Sequence, residues 1–107
     1  MSRNPIDGAV QRTVSAHHDR SFGDKPVVLR GLKLGEECGE VQGAIVRHLE
    51  RRDDRSWLPD IVDELGDVVV VLLNICAKLD VSFSSVAEQG VANFLARDFG
   101  NIDPGAA

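Results

Sequence analysis

The sequence predicts an all-α domain of about four helices, and three observations carry that prediction. The stretch from Ile61 to Leu79 opens with acidic groups, then becomes almost continuously apolar after Asp67, and contains no turn signal. An element of that length reads as helix, although Val68 to Val71 is β-prone in isolation. Helix start residues recur at Asn4-Pro5, Asp24 to Pro26, Ser56 to Asp60 and Ser82. No segment alternates apolar and polar residues with the period of a strand, and no internal repeat is visible.

Taken in order, Asn4 as N-cap and Pro5 at the first helical position predict a helix from Pro5 to about His18. Ile6, Val10 and Val14, four apart, would form its inner face. Gly23 and Pro26 break that helix, and Asp24 can cap the next, expected from about Val27 to Arg51. At about 100° per residue, Leu34, Cys38, Val41, Ile45 and Leu49 fall in one stripe. That stripe is expected to pack on the core. Glu36, Glu37 and Glu40 fall in another sector, with Lys33, Gly43, Ala44 and Arg47 close by. Small residues there allow another element to approach, whereas Gly on a purely solvated face costs about 1 kcal/mol against Ala.

The polar connector 51–55 leads to a third helix from Ser56–Asp60 to about Leu79, in which Trp57 reads as a hydrophobic anchor. Asp80-Val-Ser82 is a tight connection. Ser82 or Ser84 then caps a fourth helix ending near Asp98, with Gly100 as its stop. The expected organisation is a single domain over 1–107, with its core at 27–98 and a frayed tail at 101–107.

Composition narrows the function. Twelve Lys plus Arg against 17 Asp plus Glu give a net charge of −5. That balance argues against nonspecific nucleic-acid or anionic-membrane binding, which needs excess basic charge. The apolar run from Val68 to Ala77 is about half of what crosses a bilayer, and the N-terminus has no apolar export signal. A soluble, cytoplasmic protein is expected. Cys38 and Cys76 both lie in apolar helical patterns and read as free buried thiols, a disulfide being the alternative.

The chemistry lies in five acids. Glu64 and Asp67, three apart, share one face at the entry to the most apolar helix. Carboxylates there need a partner. If the second and third helices pack side by side, Glu37 and Glu40 can face Glu64 and Asp67. A hard divalent cation such as Mg²⁺ takes oxygen ligands of this kind and commonly binds substrate phosphates alongside them. Without a cation the charges would repel one another in a partly dry site.

These residues carry a resemblance. Lys33-Leu-Gly-Glu-Glu-Cys-Gly-Glu-Val41 followed by Asp63-Glu-Leu-Gly-Asp-Val68 is similar to the signature Glu-Glu-x-x-Glu, gap, Glu-x-x-Asp of the MazG-type all-α nucleoside triphosphate pyrophosphohydrolases. The resemblance covers roughly residues 29 to 97, and Glu-Leu-Gly-Asp-Val is its most specific part. It implies a four-helix bundle-like fold associating as a dimer or tetramer, with the active site near subunit interfaces. The implied reaction is cleavage between the α and β phosphates of a (deoxy)nucleoside triphosphate, giving a monophosphate and pyrophosphate, in a nucleotide-pool housecleaning role. It implies Mg²⁺, sometimes Mn²⁺, held by Glu37, Glu40, Glu64 and Asp67. Glu36 would bind a further ion or orient the attacking water, so Glu36 and Glu37 are the catalytic candidates. Asn93 and Arg97 in the last helix are candidate substrate contacts, although Ala92 and Ala96 stand where many relatives carry lysines.

Two further residues join the candidate substrate set. Lys33 can contact a phosphate or serve as an ordinary i, i+4 partner of a glutamate. Asn74, two turns beyond Asp67, can contact sugar or base, or form a core hydrogen-bonding group. His17, His18, Arg20 and Lys25 read first as solvated surface residues, with closure over a nucleotide as the alternative. Two rival functions remain. Phosphoribosyl-ATP pyrophosphohydrolase of histidine biosynthesis shares the acidic pattern, but its relatives usually carry an aromatic-His pair soon after the second motif, where Val-Val-Val stands here. A non-catalytic helical dimerisation module is the other.

Overall fold

The computed structural model describes residues 6–49 and 56–97. Among these it has four helices and no strand: α1 (Gly8–Phe22), α2 (Val27–Leu49), α3 (Leu58–Lys78) and α4 (Phe83–Ala96). The all-α expectation holds.

The apolar helix α3 is the centre. It packs along α2 and α1 and, more lightly, against α4. Ile61, Val71, Leu73 and Cys76 of α3 are buried, and so is Ala44 of α2. Ala44 is 1% exposed, so the close approach expected on the acidic sector of α2 happens at this small residue. A Cβ at Gly43 would meet the Arg47 side chain of its own helix first.

Several local expectations are corrected. Asn4 and Pro5 lie outside the described residues, and α1 begins later, with Asp7 as the N-cap accepting from the Val10 N–H at 2.9 Å. It also runs one turn beyond His18, to Phe22, where Gly23 at φ 86° ends it. Glycine adopts that left-handed backbone without a Cβ clash. The inner face of α1 is polar rather than apolar. Gln11, Ser15 and His18 are buried, whereas Val10 is exposed and Val14 half-buried. The reason lies opposite: Ser15 and Asp19 meet the buried Asn74 and Arg30, which require polar partners, and Gln11 meets the backbone of Val81 and Phe83.

Asp24 does not reach the start of α2; its carboxylate accepts from Lys78 Nζ at 2.6 Å instead. On α2 the expected core stripe is only partly covered. Leu34 and Val41 are half-buried, while Cys38 and Ile45 are exposed. The more deeply buried α2 residues are Arg30, Glu37 and Ala44, from the sector carrying the acids. Both cysteines are free, but only Cys76 is buried.

The chain bends by 107° between α3 and α4. Asp80 takes φ 57° in this turn, and Ser82 caps α4 as expected, accepting from the Ser85 N–H at 3.2 Å. Gln11 clamps the turn from α1, donating to the Val81 carbonyl at 2.8 Å and accepting from the Phe83 N–H at 2.7 Å. Ser84 Oγ donates to the Ile6 carbonyl. Beyond these anchors α4 has no buried residue, and Val86, Val91, Phe94 and Leu95 are exposed. Asp98, Gly100 and the tail at 101–107 lie outside the described residues. Among the described residues, no single helix is long and apolar enough to cross a membrane.

Candidate metal centre

The side-by-side packing of α2 and α3 brings two acidic helix faces together. Glu37 and Glu40 on α2 and Glu64 and Asp67 on α3 each offer one carboxylate oxygen, and the four oxygens lie within 4.8 Å of one another. The spacings generate this set. Glu37 and Glu40, like Glu64 and Asp67, are three apart and so project from one helix side.

The residues differ in exposure. Glu37 is 8% exposed, Glu64 is half-buried, and Glu40 and Asp67 reach solvent. One oxygen each of Glu37 and Glu64 is buried with no hydrogen-bond donor against it. Buried acceptors are normally satisfied, so such atoms ask for a ligand. The Glu64 carboxyl is pushed above its ordinary range, first by its hydrogen bond with Glu40. Partial burial and the charges of Glu40, Asp67 and Glu37 act in the same direction.

A divalent cation fits the donor set on chemical grounds. All four donors are hard oxygens, and opposite ligands of a Mg²⁺ ion lie about 4.2 Å apart, close to the 4.8 Å spread here. The two orphaned oxygens belong to residues on opposite helices, so a single cation could satisfy both.

Glu36 does not join this group. It is exposed and lines a separate groove of about 290 Å³ with Phe22, Lys25 and Leu29. Lys33 stands between the two places. Its Nζ is 3.3 Å from Glu37 Oε1 and 4.8 Å from the centroid of the Phe22 ring. It also lines a cleft of about 140 Å³ shared with His18, Phe22, Glu37 and Asp67.

Asn74 is fully buried, on the side of α3 that faces α1. Its Oδ1 accepts from Arg30 Nε at 2.7 Å, and its Nδ2 donates to Ser15 Oγ at 2.8 Å and Asp19 Oδ1 at 3.1 Å. Both ends of the amide are occupied, which matches the core alternative for this residue. Asn93 lies on α4 and Arg97 is its C-terminal cap; neither is part of the group of four acids. Asn93 accepts from Gln89 Nε2 at 2.8 Å, and Arg97 lies over the Phe94 ring at 5.9 Å.

Sequence reasoning passed over three members of the polar layer behind the site: Ser15, Asp19 and Arg30. Arg30 is 4% exposed, pairs with Asp19 at 3.3 Å and also donates to the Gly23 carbonyl. Lys78 adds contacts to Asp19 at 3.4 Å and Asp24 at 2.6 Å. Burial alone would raise the Asp19 carboxyl, but hydrogen bonds from Asn74, Arg30 and Lys78 outweigh it and hold the group low. The available signal was an arginine inside an otherwise apolar helix start, Val27-Val-Leu-Arg30.

His18 is not a solvated surface residue: it is 4% exposed and stacks obliquely on Phe22 at 4.7 Å. Burial, then the charge of Arg30, lowers its imidazole below the ordinary value. Asp19 pulls the other way, while Lys33 and Lys78 add to the lowering. His18 therefore enters the wall of the acidic cleft in its neutral form near pH 7. His48 pairs with Asp60 at 3.3 Å, joining the end of α2 to the start of α3.

Among known proteins, the family model of the MazG nucleotide pyrophosphohydrolase domain matches residues 30–98. The match includes all five acids and begins after α1, which supplies His18 and Phe22 to the cleft. Neither the curated proteins nor the solved structures compared with the chain gave a match. With most of its length covered by that domain, the chain belongs to the MazG nucleotide pyrophosphohydrolase family.

Proposed function

We propose that this protein is a Mg²⁺-dependent nucleoside triphosphate pyrophosphohydrolase, cleaving (deoxy)nucleotides between the α and β phosphates to a monophosphate and pyrophosphate. The observation that carries the reading is the convergence of Glu37, Glu40, Glu64 and Asp67 within 4.8 Å, with two of their oxygens buried and unsatisfied. Family membership supplies the substrate class. Nucleotide-pool housecleaning is the role we infer for it.

In this reading the four acids hold Mg²⁺, with Mn²⁺ as a substitute. The bound cation neutralises phosphate charge and lowers the pKa of a water molecule. The chain's own groups do the rest. Glu36, outside the quartet and exposed, orients the attacking water or holds a further ion. Lys33, at the edge of the cleft, contacts a phosphate. Asn74 acts from behind, fixing Arg30 and α1 rather than reaching the substrate in this conformation.

Asn93 and Arg97 project from a helix that packs little against its own domain. We infer that they meet the substrate in an assembly, as a homodimer or homotetramer, where a second copy covers the apolar side chains of α4. Burying Phe94 or Leu95 would contribute roughly 1.5–3 kcal/mol each.

The test is pyrophosphate release from a panel of ribo- and deoxyribonucleotides with Mg²⁺, repeated on Glu40→Gln and Asp67→Asn. Release that both substitutions abolish supports the reading. No release from any nucleotide by the unmutated protein, or equal release by all three proteins, would sink it.

A further inference from the structure

We propose that Lys33 is a resident counter-ion of the acidic cluster, displaced from Glu37 when a divalent cation binds and thereby freed to hold a phosphate. The inference rests on the metal-centre reading above and adds to it an internal coupling between cation and anion binding.

Three observations converge on Lys33. Its ammonium lies 3.3 Å from Oε1 of Glu37, the most buried of the four acids. The other oxygen of Glu37 is buried without a donor, so Lys33 compensates only one side of that carboxylate. A divalent ion held by Glu37 would stand close to the same ammonium, and two cations at such range in a partly dry site repel strongly. Lys33 must yield.

The second observation says where it can go. Lys33 and Phe22 line both the 140 Å³ cleft beside Glu37 and Asp67 and the 290 Å³ groove that carries Lys25 and Glu36. The lysine stem therefore forms part of the partition between them. A lysine ammonium turns on a flexible four-carbon stem, so rotation alone moves the charge from one side to the other.

The third is the Phe22 ring, 4.8 Å from Nζ. A ring face attracts an ammonium without occupying it as a carboxylate does. It stays close to the cation as the Glu37 contact breaks, which makes release less costly than transfer into bulk water. Lys33 then acts as a positioning group toward Glu37 without metal and as a phosphate ligand with it.

The chain has three lysines, Lys25, Lys33 and Lys78. Labelling them with ¹³C at the ε position gives few enough NMR signals to follow each one, and Lys33→Met assigns its own. Mg²⁺ alone is added first, then pyrophosphate. The expected result is a Mg²⁺-dependent shift of the Lys33 signal, as it moves relative to the Phe22 ring, with Lys78 unmoved. Calorimetry on Lys33→Met should show Mg²⁺ bound about twofold to fivefold more tightly, the equivalent of one partly exposed ion pair. Pyrophosphate at saturating Mg²⁺ should bind roughly tenfold more weakly, as expected for one lost charged hydrogen bond. A wild-type protein that binds Mg²⁺ with a static Lys33 signal, or a variant whose Mg²⁺ affinity is unchanged or weaker, overturns the counter-ion role while leaving the metal centre intact. Wild-type protein that binds no Mg²⁺ overturns the metal centre, and this inference with it.

Discussion

Arg30 Nε donates to Asn74 Oδ1 at 2.7 Å, joining two helices through residues 44 positions apart. Both side chains are buried, and Asp19 touches each of them. The contacts of Asp19 and Ser15 with this pair hold α1 to α2 and α3, and α1 in turn presents His18 and Phe22 to the acidic cleft.

Replacing Asn74 should therefore act on stability. Asn74→Ala leaves Arg30 and Ser15 short of partners in a buried place, and we expect a loss of about 2–4 kcal/mol in urea unfolding. Arg30→Met combined with Asn74→Leu should lose less than the sum of the single changes, because the two residues share one network. An Asn74→Ala protein of unchanged stability but raised KM would return Asn74 to the substrate.

The buried imidazole of His18 gives a pH dependence with a definite sign. Its value in the folded chain lies below the ordinary 6.5, first because burial disfavours the charged form. The contribution is complete above pH 6.5 and is lost as the pH falls through the lowered folded value. Stability should decline between neutral and mildly acid pH, and His18→Gln should flatten that decline. Unfolding curves at several pH values check this; equal slopes in the two proteins would refute it.

Cation binding should be visible without catalysis. A ligand that binds only the folded chain stabilises it by about 2.7 kcal/mol at a hundred times its Kd, a shift of about 10 °C in Tm for a domain of this size. Mg²⁺ should raise the Tm of the unmutated protein and leave Glu40→Gln and Asp67→Asn nearly unmoved. A non-catalytic module with a solvated acidic face would show no rise in any of the three.

How far the residues disclosed this arrangement depends on the range of the cause. The four-helix pattern was legible because it rests on local signals: Pro59 at the start of α3, Ser82 capping α4, and an apolar run too long for a strand. The convergence of Glu37, Glu40, Glu64 and Asp67 was legible because an i, i+3 spacing fixes a helix face once two helices pack together. The inner face of α1 was not legible. Val10 and Val14 have the spacing of a core stripe, but Gln11, Ser15 and His18 are the residues turned inward. Ser15 is turned inward by Asn74, 59 residues away, and Gln11 by the turn at Val81 and Phe83, at least 70 residues away, partners invisible to any local pattern. Asp24 shows the same limit, since its partner Lys78 lies 54 residues away.

The exposed side of α4 bears on assembly. Phe94 and Leu95 are 56% and 76% exposed, a costly arrangement for an isolated chain. Sedimentation velocity should find a dimer or tetramer, and Phe94→Asp with Leu95→Lys should shift it toward monomer. If Asn93 and Arg97 serve the site of a second copy, nucleotide turnover should fall with the dissociation. A wild-type monomer would separate α4 from the site.

The most direct measurement of the central claim is the identity of the phosphorus products. A deoxynucleoside triphosphate incubated with the protein and Mg²⁺ is followed by ³¹P NMR. The account predicts monophosphate and pyrophosphate growing together in equal amounts, only when Mg²⁺ is present, and neither with Glu40→Gln or Asp67→Asn. Diphosphate with orthophosphate, or product formation that ignores Mg²⁺ and both substitutions, would contradict it.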